Sequence, residues 1–415
     1  MIFTPYPDEM QKINTIQKYN SSDYALLRLT FTMIDKNNID ANSILRDMLY
    51  NQGIVDYDAL EFGGVNGITV IAKLILPGKI ENVKLKFYRV TNSRGDRRFS
   101  IEAISKKSKE QLLCEGDLLY ISVLNQQNEE AQIVLINLNR NTPGEQELQE
   151  SLGFDDVHLL LEELKPTLRG IVNLGYHNNS KGLGSNDPKD VGDTLEALLG
   201  IETNNRGNAD YKGKIEIKAK AGNTKDTLFT LRPCFDGTFI AGYEDDDKRR
   251  VSAFTRYYGY HSDNHPGSKS LYITIGAEAA PQNNLGFYLE VNDEARRVEL
   301  RKMSLNQRKN ELTAFWSFSS LKNELYQKHP ATLWVTAETR LDGDMVQFKY
   351  KEIMFSRSPQ FTTFLSLIKT GVVTYDWRGY TSAKGNYYGK NHGNAWRVKP
   401  KWKDSLFGVM EPLAI

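Results

Sequence analysis

The chain has 415 residues, 53 basic and 52 acidic side chains, a formal net charge of +1, and 40% hydrophobic and 25% charged residues. These values fit a soluble globular protein longer than one ordinary domain, so two domains are expected. The apolar runs fall short of the roughly 20 residues that span a bilayer, MIFTPYPDEM lacks the plan of a signal peptide, and Cys114 and Cys234 are too few for a zinc knuckle, so a cytoplasmic protein with reduced thiols is expected.

Residues 24–35, YALLRLTFTMID, read as an alternating strand. DANSILRDMLYNQG follows, a short helix that Asp40 or Asn42 can cap and Gly53 can end. GITVIAKLIL, KLKFYRV, RRFSIEAI, DLLYISVL and AQIVLINL come next. Each is short, rich in branched or aromatic residues and bounded by Gly, Asn or Asp, as strands are. Residues 1–140 are therefore expected to form a β-rich barrel or sandwich with a helix or two. Within it, Lys84, Lys86, Arg89, Arg94, Arg97 and Arg98 surround an Asn-Ser-Arg-Gly-Asp turn with one acidic residue among them. A basic hairpin of this kind suits a DNA groove or phosphate backbone, or is simply a solvated hairpin.

Residues 139–156, polar with Pro143-Gly144, read as an interdomain linker, and the domain bounds are set at 1–140, linker 141–156 and 157–415. VHLLLEELKPTLRG is a helix that Pro166 helps to end. From Val191 onward, helix and strand patterns mix, which predicts an α/β domain over 157–415.

The segment 187–222 concentrates the chemistry. Asp187-Pro188 resembles a helix start. Val191, Leu195, Leu198 and Leu199 form an apolar stripe flanked by Glu196, and Gly200 ends the helix. A loop leads to Asp210, a turn covers 211–213, and KIEIKAK alternates from Lys214 to Lys220. Glu216 and Lys218 then share one strand face, about 6.6 Å apart along the chain, with Ile215, Ile217 and Ala219 on the other. Asp210 and Glu216 are two carboxylates placed to hold Mg²⁺, which lowers the pKa of a water and neutralises phosphate charge. Lys218 can orient that water, and Glu196 can hold a water at the metal or a second metal. The alternative set Asp156, Glu163 and Lys165 is set aside, because residues two apart on a helix point about 200° apart. Pattern alone weighs this reading equally against a solvated strand face.

Residues 377–403 carry seven Lys or Arg and no acidic residue, interleaved with Tyr380, Tyr387, Tyr388, Trp396 and Trp402. Such a patch is the footprint of a phosphate backbone, and arginine also reads guanine in the major groove. An ordinary basic tail is the bland alternative. His261 and His265 read as surface histidines rather than a metal site.

GDTLEALLGI, NADYKGKIEIKAK and TLFTLRP together resemble the nuclease core of MutH and the MvaI/BcnI-type restriction endonucleases. The resemblance implies the catalytic set Glu196, Asp210, Glu216 and Lys218, with Mg²⁺ on Asp210 and Glu216. NHGNAWRV is similar to that family's motif near the C-terminal end, which assigns DNA reading to His392 and Arg397, with Arg378 and Lys390 as weaker matches. Asn391 replaces the acidic residue usual before the histidine. The first domain is similar to the effector domain of EcoRII, a DNA-binding pseudobarrel. The resemblance thus implies an α+β, two-domain chain: an N-terminal pseudobarrel and a C-terminal MutH-like endonuclease. It further implies hydrolysis of double-stranded DNA to 5′-phosphate and 3′-hydroxyl ends at a short CC-N-GG site such as CCWGG. The enzyme would be a monomer whose effector domain binds a second copy of the site. A mismatch-repair-type nicking endonuclease and a non-catalytic DNA-binding regulator are the alternatives.

Overall fold

A computed structural model describes residues 4–20, 22–124, 131–201, 207–243, 247–303, 310–382, 389–391, 393–408 and 410–415. The chain divides into two compact units, Pro5–Leu160 and Leu161–Ile415, and each is treated separately.

The first unit contains α1 (Pro7–Tyr19), β1 (Tyr24–Arg28), α2 (Phe31–Lys36), β2 (Ile39–Asp40), α3 (Ser43–Asn51), β3 (Ile68–Leu76), β4 (Lys79–Arg89), β5 (Arg97–Ile101), α4 (Ile104–Lys109), β6 (Leu118–Leu124), β7 (Gln132–Asn137) and α5 (Glu145–Leu152). Its strands form one seven-stranded sheet, β1-β6-β7-β3-β4-β5-β2, rather than the two facing sheets of a sandwich. The β3–β7 pair is parallel. Asn42 caps α3 by accepting from the Leu45 N–H at 2.9 Å, as its side chain allows. The expected strand over 24–35 stops at Arg28. Thr30 caps α2, and Asn37 ends it in the left-handed region at φ 46°, a conformation asparagine tolerates. The segment read as a linker holds α5, whose Leu148 is buried.

The second unit contains α6 (Asp156–Leu174, which begins in the first), β8 (Tyr176–Asn178), α7 (Asp190–Leu198), β9 (Glu216–Lys220), β10 (Asp226–Phe229), α8 (Asp247–Tyr258), β11 (Tyr260–His261), β12 (Ser268–Ile275), β13 (Phe287–Asn292), β14 (Arg297–Lys302), β15 (Glu311–Ser317), α9 (Phe318–Lys328), β16 (Ala331–Asp342), β17 (Met345–Arg357), α10 (Phe361–Lys369), β18 (Val373–Ser382), β19 (Gly389–Asn391), β20 (Ala395–Val398), α11 (Lys403–Phe407) and β21 (Glu411–Pro412). Three sheets organise it. The first is β21-β17-β16-β9 with β8 on β17, the second β10-β20-β18-β12-β11 with β19 on β18, and the third β13-β14-β15.

Two helices of this unit also depart from the sequence expectation. α6 runs through Pro166 instead of ending there. An interior proline costs about 3 kcal/mol. Leu161, Leu164, Leu168 and Ile171 are buried along the helix, at about 1.5–3 kcal/mol each. Their sum wins, and Pro166 lies on the exposed side. α7 starts at Asp190, not at Asp187-Pro188. Asp190 is fully buried and accepts from Asn179 Nδ2 at 2.8 Å, Ser185 Oγ at 2.7 Å and the Asp187 N–H at 3.1 Å. The turn before the helix therefore folds around this carboxylate. Among the described residues, no helix is long and apolar enough to cross a membrane.

Candidate active site

β9 pairs in parallel with β16, which sets Glu216 beside Thr332 and Lys218 beside Trp334. Ile215 and Ile217 are buried, as period-two alternation predicts for the face opposite Glu216. Glu216 itself is only 1% exposed. Its Oε1 lies 2.6 Å from Lys218 Nζ and its Oε2 3.0 Å from Lys328 Nζ. Apart from these two ammonium groups, neither buried carboxylate oxygen has a hydrogen-bond partner among the described residues. Burial pushes the Glu216 carboxyl up to about 7; Lys218 opposes the rise and Asp210 adds to it.

Asp210 is held just before the strand by its own strand neighbour. Its Oδ2 accepts from the Ile217 N–H at 2.9 Å. Lys212 and Gly213, at φ 49° and 70°, form the turn that brings Asp210 alongside. Its Oδ1 faces Lys328 Nζ at 3.4 Å. α7 packs on β9 and presents Glu196. Burial raises the Glu196 carboxyl, Asp210 and Asp193 raise it further, and Lys218 and Lys328 oppose. The structure therefore gathers Glu196, Asp210, Glu216 and Lys218 in one electrostatic neighbourhood.

Lys328 was missed by sequence reasoning. It is the last residue of α9, and the start of β16 beside Glu216 delivers it to the carboxylates. Burial lowers its ammonium pKa, but Glu216 and Asp210 more than offset that and carry it above the usual lysine value. No local pattern marks it, because 110 residues separate it from Lys218. The adjacent His329 is fully buried and pulled down to about 3, chiefly by burial. Its Nε2 donates to the Leu228 carbonyl at 2.9 Å, and its Nδ1 meets Thr332 Oγ1 at 2.9 Å. It is a neutral structural bridge, not a base.

Among the described residues, no group of three or more His, Cys, Asp or Glu forms a metal-holding set. Two carboxylates are what Mg²⁺ takes when waters and substrate phosphates complete its shell. A buried carboxylate needs a cation to compensate it; two ammonium groups do so at Glu216, and neither oxygen has a backbone or neutral donor among the described residues, which leaves both open to a metal. Asp210 and Glu216 thus fit a hard divalent ion. Glu163 and Lys165 of the alternative set lie on α6, where Glu163 pairs with Lys212 at 2.7 Å.

The second sheet carries the C-terminal basic residues. On β18, alternation sends Trp377 into the core, 1% exposed, and Arg378 outward. Trp396 is fully buried among Phe229, Phe364 and Trp316, so it belongs to the core and not to an aromatic patch. Arg378 Nη2 donates to Asp376 Oδ2 at 2.8 Å. Arg397 Nε lies 3.0 Å from the same oxygen. Asp376 is 1% exposed and also accepts from Thr274 Oγ1 at 2.8 Å. This buried carboxylate, unmarked in the sequence, holds two guanidinium groups side by side. His392, Tyr387 and Tyr388 lie outside the described residues; Lys390 is placed on β19 by its backbone alone. His265 stacks on Tyr380 at 3.7 Å, and His261 is exposed on β11.

In the first unit, β-pairing divides the basic hairpin. Lys84 and Lys86 share one face of β4 with Tyr88, and Arg98 lies across from Tyr88 on β5. Lys73 on β3 joins that face, since Ile71 pairs with Lys84. Arg89 and Arg97 pair with each other at the alternate positions, and Arg94 is exposed at the turn. Lys84 faces Glu102 at 3.5 Å, Arg97 faces Asp58 at 2.6 Å, and Arg98 faces Asp40 at 2.9 Å. Arg89 lies over the Phe62 ring at 4.3 Å.

Residues 166–407, more than half of the chain, match the family model of the MvaI/BcnI restriction endonuclease family. Among solved structures, the restriction endonuclease MvaI in complex with cognate DNA substrate is similar at 21% identity and a TM-score of 0.51, over 61% of this chain and 98% of that one. That likeness is one of fold. MvaI in the absence of DNA aligns at 20% identity and a TM-score of 0.38, over 61% of this chain and 97% of that one. No curated protein matches the chain.

Proposed function

The chain belongs to the MvaI/BcnI restriction endonuclease family, and from that premise we propose that it is a Mg²⁺-dependent endonuclease cutting double-stranded DNA at a short CC-N-GG site, CCWGG in the preferred form. The observation that carries the proposal is Glu216: a buried carboxylate beside Asp210 whose oxygens meet two lysine ammonium groups and, among the described residues, no other donor.

Asp210 and Glu216 would hold Mg²⁺, which supplies an acidified water and charge neutralisation at the phosphate. The chain's own groups do the rest. Lys218 Nζ, on the same strand face as Glu216, donates toward a water or a phosphate oxygen. Lys328 Nζ stands on the other Glu216 oxygen and keeps the two carboxylates from repelling each other. Glu196 accepts from water and fixes its direction of attack. Preorganised charges of this kind stabilise a transition state without moving. Arg378 and Arg397, aligned by Asp376, would read guanine, each as a two-donor fork. His392 and Lys390 complete that proposed set. The first unit would act as an EcoRII-like effector pseudobarrel that binds a second copy of the site, through Lys84, Lys86 and Arg98 on the sheet face and Arg89, Arg94 and Arg97 around the turn.

The test uses purified chain, a plasmid of known sequence and Mg²⁺. Linear product with defined ends is expected, and Glu216→Ala or Lys218→Ala should abolish cutting while DNA binding survives. Full activity in either variant removes this site. Nicked product alone favours a repair-type nicking enzyme, and binding without any Mg²⁺-dependent cleavage favours a regulator.

A further inference from the structure

Lys225 closes the connection between β9 and β10, seven residues beyond Lys218. The strand that follows it pairs with β20, placing Thr227 opposite Arg397. β18 lies on the other side of β20, placing Thr374 opposite Arg397 as well. Lys225 is two residues before Thr227, so alternation puts it on the Arg397 side of the sheet. Its Nζ donates to Thr374 Oγ1 at 3.1 Å. Thr374 is fully buried, so the ammonium is tied to the floor of this face and does not swing at its rim.

The electrostatics of that floor are unbalanced. Arg378, Arg397 and Lys399 act on Lys225 as like charges, and Asp376 is the carboxylate that opposes them. Asp376 already serves both guanidinium groups. Half-burial of a lysine among like charges is unfavourable unless an electron-rich partner arrives. The two N–H donors that remain beyond the Thr374 bond suit a partner with two adjacent acceptors and no donor; the guanine major-groove edge, O6 with N7, is such a partner.

We propose that Lys225 reads a guanine edge in the recognised DNA, as a third cation beside Arg378 and Arg397. This rests on the nuclease reading above and adds a specificity determinant to it. The chain itself joins the two halves of the site, running from Lys218 on β9 through the β9–β10 connection to Lys225. A base-edge contact and a phosphate contact differ in what they do to sequence discrimination.

The experiment measures binding of the full chain to short duplexes carrying the cleaved site and each single base-pair substitution of it, at several salt concentrations. Ca²⁺ replaces Mg²⁺ throughout. Lys225→Met keeps the aliphatic length and removes the donors. The expected result is loss of about tenfold or more in discrimination at one G·C pair, with the other positions read as before. Equal weakening on every duplex, with the salt slope reduced by about 1, would make Lys225 a phosphate contact and overturn the proposal; unchanged discrimination would overturn it too. Should the methionine variant fail to fold, Lys225→Arg is read instead, with altered discrimination confined to that same pair expected and none refuting. If the wild-type chain prefers no sequence, the nuclease reading fails and this inference with it. A site-specific wild type with an unaltered variant removes the inference alone.

Discussion

Burial and two lysines pull Glu216 in opposite directions, and burial wins, since the carboxyl rises to about 7. The folded chain therefore binds that proton more tightly than the unfolded one, whose carboxyl stays near 4.5. Between those two values the folded state holds more protons, so this group's contribution to stability falls as pH rises through the window. Glu216→Gln removes the charge without the volume. Metal-free Glu216→Gln should melt above the wild type at pH 8, by at most about 3 kcal/mol, and the gap should close toward pH 4.5. Mg²⁺ at pH 8 should raise the wild-type melting temperature and leave the variant unchanged, because only a group that binds the ion transmits its affinity to stability. A variant that melts below the wild type at pH 8 would show that the lysine pairing outweighs burial. Glu216 and Lys218 were legible because strand alternation is a local rule, and Asp210 because a turn separates it from them by few residues. Lys328, Asp376 and Lys225 were not legible. Each is an ordinary residue in its own segment, and only pairing between distant strands gives it a neighbour to act on.

Elements obey summed terms, and α6 shows how a local rule loses. Pro166 lacks an N–H and clashes with the preceding turn, which is why the sequence predicts a stop there. Four buried aliphatic side chains on the same helix override it. The unmade hydrogen bond remains a cost that the native fold carries. Pro166→Ala should restore it on the exposed side of the helix without touching the core, raising stability by about 1–3 kcal/mol in a urea titration. No gain would mean the proline's restriction of the unfolded chain balances the missing bond. The reverse holds at 30–35, where TFTMID alternates like a strand yet lies in α2 and its cap, with no buried residue in the helix. There the Thr30 cap and the left-handed Asn37 decide, and capping is invisible to a count of apolar spacing. The strands from 68 to 137 were legible because each combines branched residues with turn residues at its ends.

For the whole molecule, a net charge of +1 means that DNA affinity must come from where cations stand, not from their number. The β18–β20 face in the second unit and the β3–β5 face in the first each gather cations by strand register. If the second unit both reads and cuts, a chain starting at Asp156, which keeps α6 whole, should cut the same sequence as the full protein. Its single-site rate should change little. Stimulation by an added duplex carrying a second site should disappear, because the face holding Lys84, Lys86 and Arg98 is gone. The salt dependence of binding to one site should stay close to that of the full chain, since log K falls by about 0.9 per phosphate neutralised and the contacts at the cleaved site would be intact. Sequencing the ends made by the truncated chain decides the matter. A changed cut sequence would move recognition into the first unit and leave Arg378 and Arg397 as phosphate contacts. Retained stimulation by a second site would place the effector function within residues 156–415, and the sheet face of the first unit would then need another partner.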